Sequence, residues 1–232
     1  MSIIDSVRKS LTPIHPEGYV FIAAFGVGAV VMNWLSPTLG WFGFIAVAWC
    51  IYFFRDPPRV TPLKEGILIS PADGTICAIG FFQPPPELGL GATPMHRISI
   101  FMSVFDVHIN RAPISGRVIK VAYKPGIFLN ADLDKASEDN ERNGLIIETK
   151  YGSFGVVQIA GLIARRIVCF IKEGENVGVG ERFGLIRFGS RVDIYMPDAF
   201  RPLVAIGSSV TAGETIIADA TTGANTTTFK TG

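Results

Sequence analysis

The sequence is short of charge, cysteine and histidine. Charged residues make up 18% of its 232 residues, and 21 lysines and arginines against 20 aspartates and glutamates leave a net charge of +1. This balance offers no basic surplus for nucleic acid, and an apolar content of 48% excludes an intrinsically disordered chain. The cysteines, Cys50, Cys77 and Cys169, fit neither a disulfide framework nor a zinc site. No two of the three histidines have metal-ligand spacing, so we expect no metal.

Charge is absent altogether from the 37 residues between Gly18 and Phe54. Polar residues and Pro37 near the middle divide this stretch into two apolar segments, residues 19–35 and 39–54. A membrane-spanning helix needs about 20 apolar residues, so each segment is near the lower limit. The sequence therefore predicts a membrane helical hairpin that either spans the bilayer or lies in one leaflet. A helical hairpin buried in a soluble core is the alternative.

The charges that flank this stretch predict its orientation. Arg8 and Lys9 precede it and Arg55, Arg59 and Lys64 follow it, whereas the central turn carries no charge. Positive charge is retained on the cytoplasmic side of a membrane. We therefore expect both ends, and the domain that follows, on the cytoplasmic side of the cell membrane.

Beyond a linker at residues 55–59, the sequence changes to short runs rich in isoleucine, valine and phenylalanine, separated by glycine and proline. Runs of this length and composition predict strands. The expected strands are residues 67–69, 75–82, 97–107, 118–123, 145–149, 154–159, 163–171, 182–186, 192–196, 203–206 and 215–218. The chain is thus predicted to consist of a membrane anchor at residues 1–60 and a mainly β domain at residues 61–232.

Two pairs of segments repeat within the β domain. Residues 71–76 and 113–118 share the pattern P-x-x-G-x-[IV], and residues 174–181 and 207–214 share G-x-x-V-x-x-G-E. Each is a tight turn leading into a strand, and such paired turns are similar to those of lipoyl and biotinyl carrier domains. They predict a β-sandwich or flattened barrel. No lysine occupies the turn that carrier domains modify, so carrier function is not supported.

A charged segment at residues 132–143 separates two predicted strands. It holds seven charged residues among twelve. A solvated loop is the expected structure, and a lid over an active site is the alternative.

Three residues are candidates for chemistry, although each has an ordinary structural explanation by itself. His108 follows the predicted strand 97–107, where alternation places it on the face opposite Val107 and Ile109. Asp73, in S-P-A-D-G, is a typical turn former. Ser190, in R-F-G-S-R, suits a strand and does not fit the G-x-S-x-G elbow of α/β-hydrolases.

Taken together, these segments resemble the phosphatidylserine decarboxylases, particularly their short form. Residues 185–193, L-I-R-F-G-S-R-V-D, are similar to the processing site of that family. The segments S-P-A-D-G at 70–74 and F-D-V-H-I-N-R-A-P at 105–113 match it in order and spacing. The likeness covers residues 50–220 and follows a fitting membrane segment.

The resemblance implies a zymogen that cleaves itself between Gly189 and Ser190. The Ser190 hydroxyl attacks the Gly189 carbonyl, an N-to-O acyl shift gives an ester, and β-elimination leaves a pyruvoyl group at residue 190. Residues 1–189 and 190–232 then form the large and small subunits of a heterodimer. His108, oriented by Asp73, is the expected base.

The pyruvoyl group is the implied cofactor, with neither a metal nor pyridoxal phosphate. It forms a Schiff base with phosphatidylserine in the membrane and accepts the electrons released with carbon dioxide, which gives phosphatidylethanolamine. His108 is expected to deliver the proton that replaces the carboxylate. No nucleic acid is an expected partner, and the sequence leaves a higher oligomer open.

One position departs from the family pattern. The longer bacterial members carry D-x-H-x-x-H, whereas this chain has Arg111 at the second histidine position. Either His108 serves both steps or His96 contributes. Arg111, Arg165 and Arg166 are candidates for binding the lipid phosphate or the serine carboxylate.

Two alternative functions stay open. One is decarboxylation of another serine-headgroup lipid, such as an archaeal-type ether lipid, because the headgroup chemistry would be identical. The other is a membrane-tethered carrier or adaptor with a lipoyl-like fold and no catalysis, which would remain one intact chain on a denaturing gel.

The charge pattern generates a test of topology. If both ends of the hairpin are cytoplasmic, a cysteine placed at Ser36 or Thr38 will be inaccessible to reagents acting from the cytoplasmic side. The measurement is the rate of thiol labelling in sealed inside-out vesicles. Rapid labelling would contradict a spanning hairpin and favour helices that lie in the surface.

Overall fold

The computed structural model describes residues 12–126, 140–161, 166–187 and 190–220. The chain divides into two units, Met1–Pro58 and Arg59–Gly232. In the first, a short 3-10 turn, Pro16–Gly18, leads into helix α1 (Tyr19–Leu35), and helix α2 (Pro37–Phe53) follows after one residue. Helix α2 begins two residues before the predicted segment because Pro37 suits the first helical turn, where the N–H that it lacks would have no partner.

The two helices pack closely and keep an apolar exterior. A Cβ added at Gly43 would lie 2.7 Å from the Ala29 Cα, so glycine is needed where the helices meet. Trp34 and Trp41 are 87% and 71% exposed. The helical segment Pro16–Leu35 is long and apolar enough to cross a membrane, and Pro37–Phe53 is a shorter apolar helix. An apolar pair with an exposed apolar surface suits a lipid environment.

The second unit is built from antiparallel strands. An eight-stranded sheet has the order β13-β2-β3-β11-β7-β6-β5-β9, and two three-stranded sheets have the orders β1-β14-β12 and β4-β10-β8. In chain order the strands are β1 (Ile67–Ile69), β2 (Gly74–Phe82), β3 (Met95–Met102), β4 (Ile109–Arg111), β5 (Gly116–Lys124), β6 (Arg142–Thr149), β7 (Gly152–Ala160), β8 (Arg166–Cys169), β9 (Asn176–Val177), β10 (Arg182–Arg187), β11 (Ser190–Met196), β12 (Arg201–Pro202), β13 (Ser209–Val210) and β14 (Ile216–Asp219).

The predicted fold class, a mainly β domain preceded by an apolar helix pair, is confirmed. The predicted strand 97–107 is too long, because the chain turns after Met102. The Asp106 carboxylate accepts a hydrogen bond from the Ser103 N–H at 2.7 Å, and the Asp106 N–H donates to the Ser103 carbonyl at 3.0 Å. Strand 203–206 is also wrong, since the chain pairs at Arg201–Pro202 instead. Part of the predicted strand 163–171 lies outside the described residues.

The two pairs of sequence repeats occupy equivalent places in the fold. Gly74 of β2 pairs with Val210 of β13, and Gly116 of β5 pairs with Val177 of β9. The order of the large sheet is the same from either edge, β13-β2-β3-β11 matching β9-β5-β6-β7. Each half also has one of the three-stranded sheets. The second unit is therefore internally duplicated, with β11 and β7 where the two halves meet.

Gly74 and Gly116 show why this pattern requires glycine. A Cβ at Gly74 would collide with the Phe101 carbonyl, and a Cβ at Gly116 would collide with the Glu148 carbonyl. In both halves the backbone of the neighbouring strand therefore occupies the space that a side chain at the glycine would need. The larger inward-facing side chains, including Phe154, Phe183 and Phe200, form one buried core.

Candidate active site

Ser190 is the first residue of β11, the strand at the centre of the large sheet. It pairs with Met102 of β3 and with Ala160 of β7. The residue is fully buried, and its hydroxyl has no hydrogen-bond partner among the described residues. Such an unsatisfied buried group costs about 1–3 kcal/mol, which is typical of a group retained for chemistry. Gly189, on the other side of the predicted cleavage bond, lies outside the described residues.

His108 lies beside the segment that leads into Ser190. The Ile186 N–H of β10 donates to the His108 carbonyl at 3.3 Å, and β10 ends three residues before Ser190. Val107 and Ile109 pack in one apolar cluster, so alternation directs His108 to the opposite face, as the sequence predicts. The ring is buried. The short strand β4 thus brings His108 to the Ser190 end of β11.

A backbone carbonyl sets the protonation pattern of His108. The His108 Nδ1 atom lies 3.0 Å from the carbonyl oxygen of Asp106. A carbonyl can only accept, so Nδ1 carries the proton and the neutral ring has its lone pair on Nε2. Nε2 is therefore the ring atom that can accept a proton from a hydroxyl.

Asp73 is held by two donors. Its carboxylate accepts hydrogen bonds from the Arg59 guanidinium at 2.6 Å and from the Ala212 N–H at 2.7 Å. Burial raises the pKa of Asp73 above its usual value, the Ala212 N–H and Arg59 oppose that rise, and the nearby Asp106 carboxylate adds to it. Asp73 thus lies near the turn that carries His108. The Asp106 carbonyl accepts a hydrogen bond from the His108 ring, and the orientation of that ring by Asp73 stays a prediction.

The internal duplication separates two roles for Asp73. Ser115 occupies the equivalent turn of the other half, and its hydroxyl accepts a hydrogen bond from the Val179 N–H at 2.8 Å. The bond between Asp73 and Ala212 is the counterpart of that one and holds the turn. The second carboxylate oxygen, bound to Arg59, has no counterpart in a serine. The sequence prediction did not include Arg59, which it placed in the linker.

A chain of buried amides also reaches the site. The Asn143 side-chain N–H donates to Gln158 at 3.0 Å, and the Gln158 side-chain N–H donates to Asn110 at 2.8 Å. The Asn110 side-chain nitrogen then lies 3.6 Å from the Met102 sulfur. A thioether is a weak acceptor, so the Asn110 N–H is only weakly bound there. This N–H group lies next to Met102, the residue that pairs with Ser190.

Sequence reasoning missed this chain of amides. The available signal was Gln158, a polar residue at an inward position between Val157 and Ile159. Gly184, which pairs with Asn110, leaves space for it: an added Cβ would lie 2.9 Å from the Gln158 side-chain nitrogen and 2.5 Å from the Val168 carbonyl.

The end of the charged segment 132–143 lies on the other side of Ser190. Residues 127–139 lie outside the described residues, but residues 140–143 are buried, so the predicted solvated loop is wrong for these four. The Asn140 side chain donates to the Ala160 carbonyl at 2.9 Å, and the Ala160 N–H donates to the Glu141 carbonyl at 3.0 Å. These bonds fix the end of β7, where Ala160 pairs with Ser190.

His96 does not reach Ser190. It pairs with Met196 at the far end of β11, six residues from Met102 along β3, which corresponds to about 20 Å. Its ring packs against Phe81. Of the two histidines that the sequence left as candidates for the second step, His96 therefore lies far from Ser190 along this ladder.

The three candidate arginines have different surroundings. Arg111 is buried and donates to the Gly180 carbonyl at 3.0 Å. Arg166 is exposed at the start of β8, and Arg165 lies outside the described residues. In the described part of the chain, no group of three histidine, cysteine, aspartate or glutamate side chains could hold a metal ion.

Comparison with known proteins finds a matching family model and similar curated proteins. The family model described as phosphatidylserine decarboxylase matches residues 46–218. A curated phosphatidylserine decarboxylase proenzyme from Beijerinckia indica subsp. indica is 65% identical over 219 residues, which cover 94% of this chain and 94% of that protein.

The amide chain generates a stability prediction. Gln158→Met removes both of its links and leaves the Asn110 oxygen and the Asn143 N–H buried without their partner. We expect the free energy of unfolding to fall by about 2–4 kcal/mol, since each such group costs about 1–3 kcal/mol. Gln83→Met makes the same chemical change at an exposed position and serves as the control. Equal thermal unfolding midpoints for the two variants would show that the chain of amides contributes nothing to stability.

Proposed function

This chain belongs to the phosphatidylserine decarboxylase family, and on that premise we propose that it decarboxylates phosphatidylserine to phosphatidylethanolamine with a pyruvoyl group made from its own Ser190. It is accordingly a carboxy-lyase of phospholipid biosynthesis, synthesised as a zymogen. The observation that carries the assignment of Ser190 is its buried hydroxyl, without a described partner, at the first residue of the central strand.

The pairing of the fragment after Ser190 supports a cleavage just before that residue. All the described residues of β11 lie in this fragment. The fragment 190–232 keeps β11 paired on both sides, β13 paired with β2 and β14 paired with β1. The large and small subunits would therefore stay assembled through backbone hydrogen bonds.

In the cleavage step, His108 acts as the base. Its Nε2 atom takes the proton of the Ser190 hydroxyl, and the oxygen attacks the Gly189 carbonyl. We propose that the Asn110 amide donates to the negative charge that develops on that carbonyl. Glycine at position 189 suits this step because a residue without a side chain leaves its carbonyl unhindered.

In the decarboxylation, the pyruvoyl group supplies an electron-accepting carbonyl. The proton that His108 takes in the cleavage step passes to the Ser190 nitrogen as the amide bond breaks. In each decarboxylation, a His108 protonated by solvent donates its proton to the carbon that lost carbon dioxide. Asp73, paired with Arg59, supplies a negative charge near the turn that carries His108. Arg111 and Arg166 are proposed to attract the lipid phosphate or the serine carboxylate, as is Arg165.

The helix pair suggests how the enzyme meets its substrate. We place residues 1–60 in the cell membrane as an anchor and residues 61–232 on its cytoplasmic side as the catalytic domain. The apolar segment Pro16–Leu35 and the positive charges that flank the hairpin support this arrangement. The lipid can then stay in the bilayer while its headgroup enters the site. An assay with phosphatidylserine and an archaeal-type serine ether lipid will decide between the two substrates.

The first test concerns Ser190. Ser190→Ala has no hydroxyl to attack the carbonyl or to leave by elimination, so we expect a single 232-residue chain without decarboxylase activity. Ser190→Cys should cleave slowly, because a thioester can form and a thiolate can leave. In the parent protein, mass spectrometry should find one fragment ending at Gly189 and a second with a ketone at residue 190 that hydroxylamine traps. A fully active intact chain with unmodified Ser190 would refute the mechanism.

The second test concerns His108. Loss of a general base slows a reaction by about 10²- to 10⁴-fold, so His108→Ala should accumulate the intact chain on a denaturing gel. His96→Ala is the control, since His96 lies at the far end of the sheet and its variant should cleave at the parental rate. Normal cleavage of His108→Ala with lost decarboxylation would restrict His108 to proton delivery. Full activity would remove it from both steps.

The third test separates the two roles of Asp73. Asp73→Ser can keep the hydrogen bond of the turn, as Ser115 does in the other half, but loses the carboxylate. We expect it to fold with near-parental stability and to cleave at least tenfold more slowly, with a smaller effect than His108→Ala.

Ser115→Ala is its matched control. This variant loses a turn bond worth about 0.5–1.5 kcal/mol and should cleave at the parental rate. Time courses of cleavage after synthesis and thermal unfolding midpoints measure both effects. Parental cleavage of Asp73→Ser would limit Asp73 to holding the turn.

A further inference from the structure

Glu141 is a buried carboxylate that no step of the proposed mechanism uses. Only 4% of the residue is exposed, although it belongs to the charged segment for which the sequence predicts a solvated loop. A carboxylate is seldom removed from water unless it is paired or hydrogen-bonded, because burial disfavours its charge. The contacts of Glu141 therefore indicate what this burial serves.

The sheet register places Glu141 in the same row as Ser190. Arg142 of β6 pairs with Ile159 of β7. The next position of this antiparallel ladder joins Glu141 to Ala160, and the Ala160 N–H donates to the Glu141 carbonyl at 3.0 Å. Ala160 also pairs with Ser190. Directly paired residues point to the same face, so Glu141 and Ser190 share the core face, with their Cα atoms about 10 Å apart.

The Glu141 carboxylate joins this row to the sheet β4-β10-β8. Its Oε1 atom accepts from the Tyr123 hydroxyl at 3.1 Å and from the Ile167 N–H at 3.3 Å. Ile167 belongs to β8, an edge strand of that small sheet. An edge strand leaves some of its N–H groups without a partner in the sheet, and those that are buried need an acceptor from elsewhere. Glu141 supplies this acceptor.

The small sheet β4-β10-β8 also positions His108. Ile167 pairs with Ile186 of β10, and the Ile186 N–H donates to the His108 carbonyl at 3.3 Å. His108, Ile186 and Ile167 thus form one row across the small sheet. His108 stands at one end of this row, and Glu141 binds the other end.

The way the small sheet rests on the large one therefore sets the distance between His108 and Ser190. Proton transfer requires a base within hydrogen-bond reach, and a misplacement of about 1 Å can slow a reaction about a hundredfold. The bond between Gln158 and Asn110 joins the two sheets at β4, at 2.8 Å. The bond between Glu141 and Ile167 joins them at β8, so the small sheet is held on both sides of β10.

We propose that Glu141 is a positioning residue for the self-cleavage. This inference rests on the proposed function, in which His108 is the base. Glu141 holds β8 against the Ser190 end of the large sheet, and it acts on His108 through Ile167 and Ile186. The position of its oxygen matters rather than its charge, since both described hydrogen bonds meet at Oε1. An amide oxygen at the same place can accept both.

Two substitutions with opposite expectations test this role. Glu141→Gln keeps the reach of the side chain and loses the charge, so it should cleave within about threefold of the parental rate. Glu141→Asp keeps the charge and is shorter by one methylene, so its oxygen falls short of Ile167 and cleavage should slow about tenfold or more. The measurement is the time course of cleavage of the full chain on a denaturing gel.

Two controls separate positioning from a loss of stability. Glu148→Asp makes the same chemical change at the exposed end of β6 and should cleave at the parental rate. Ser115→Ala loses a hydrogen bond of a turn and should also cleave at the parental rate, so a lower thermal unfolding midpoint does not by itself slow cleavage. The pH profile of cleavage in Glu141→Gln should match that of the parent, because the base is His108.

The outcomes distinguish this proposal from the proposed function. Parental cleavage in Glu141→Asp would overturn the role of Glu141 and leave the self-cleavage intact. Slow cleavage in Glu141→Gln, whether or not Glu141→Asp is also slow, would assign the role to the charge and overturn positioning. A parent chain that stays intact would overturn both, because there would then be no cleavage for Glu141 to support.

Discussion

The pairing of β11 between β3 and β7 is the constraint on which the rest of the catalytic unit depends. This double ladder places Ser190 opposite Met102 and Ala160 at one end of the sheet. It also decides that the Ser190 hydroxyl faces the core while Arg191 faces the opposite side of the sheet, since a slip of one residue would exchange the two. Because β11 is central, its register is fixed from both sides, and the serine has one position relative to the groups around it.

The residues proposed for the chemistry lie where the two halves of the duplicated fold differ. The turns of Asp73 and Ser115 are built alike, each with a side-chain oxygen accepting from a backbone N–H. Only the Asp73 turn has a second oxygen, and Arg59 binds it. His108 likewise precedes β4, whereas Gly66 stands in the same place before β1. The two halves thus share one scaffold, and the residues proposed for the site are among those by which one half differs from the other.

The sequence predicted the long elements well because each has its own periodic signal. The helix pair and strands such as β2, β5 and β7 follow from apolar runs and the glycines that bound them. By contrast, β9 and β13 are only two residues long. A segment this short has no periodic pattern of its own and is a strand only because it pairs with β5 or β2. The link between Gln158 and Asn110 joins residues 48 positions apart, and no local pattern encodes it. Ser190 and His108 were predicted as site residues from motifs, whereas the carbonyl that accepts from the His108 ring belongs to a turn that no motif indicates.

The placement of β11, β12, β13 and β14 after the proposed cleavage bond has a kinetic consequence. Before cleavage the sheet forms within one molecule, so its strands find each other at a rate that does not depend on concentration. After cleavage the same contacts join two chains, and any molecule that unfolds completely must reassemble by a bimolecular encounter. The mature enzyme would then persist through slow unfolding rather than through repeated refolding. A protein built this way folds once, and its working lifetime is set by the barrier that holds the central strand in place.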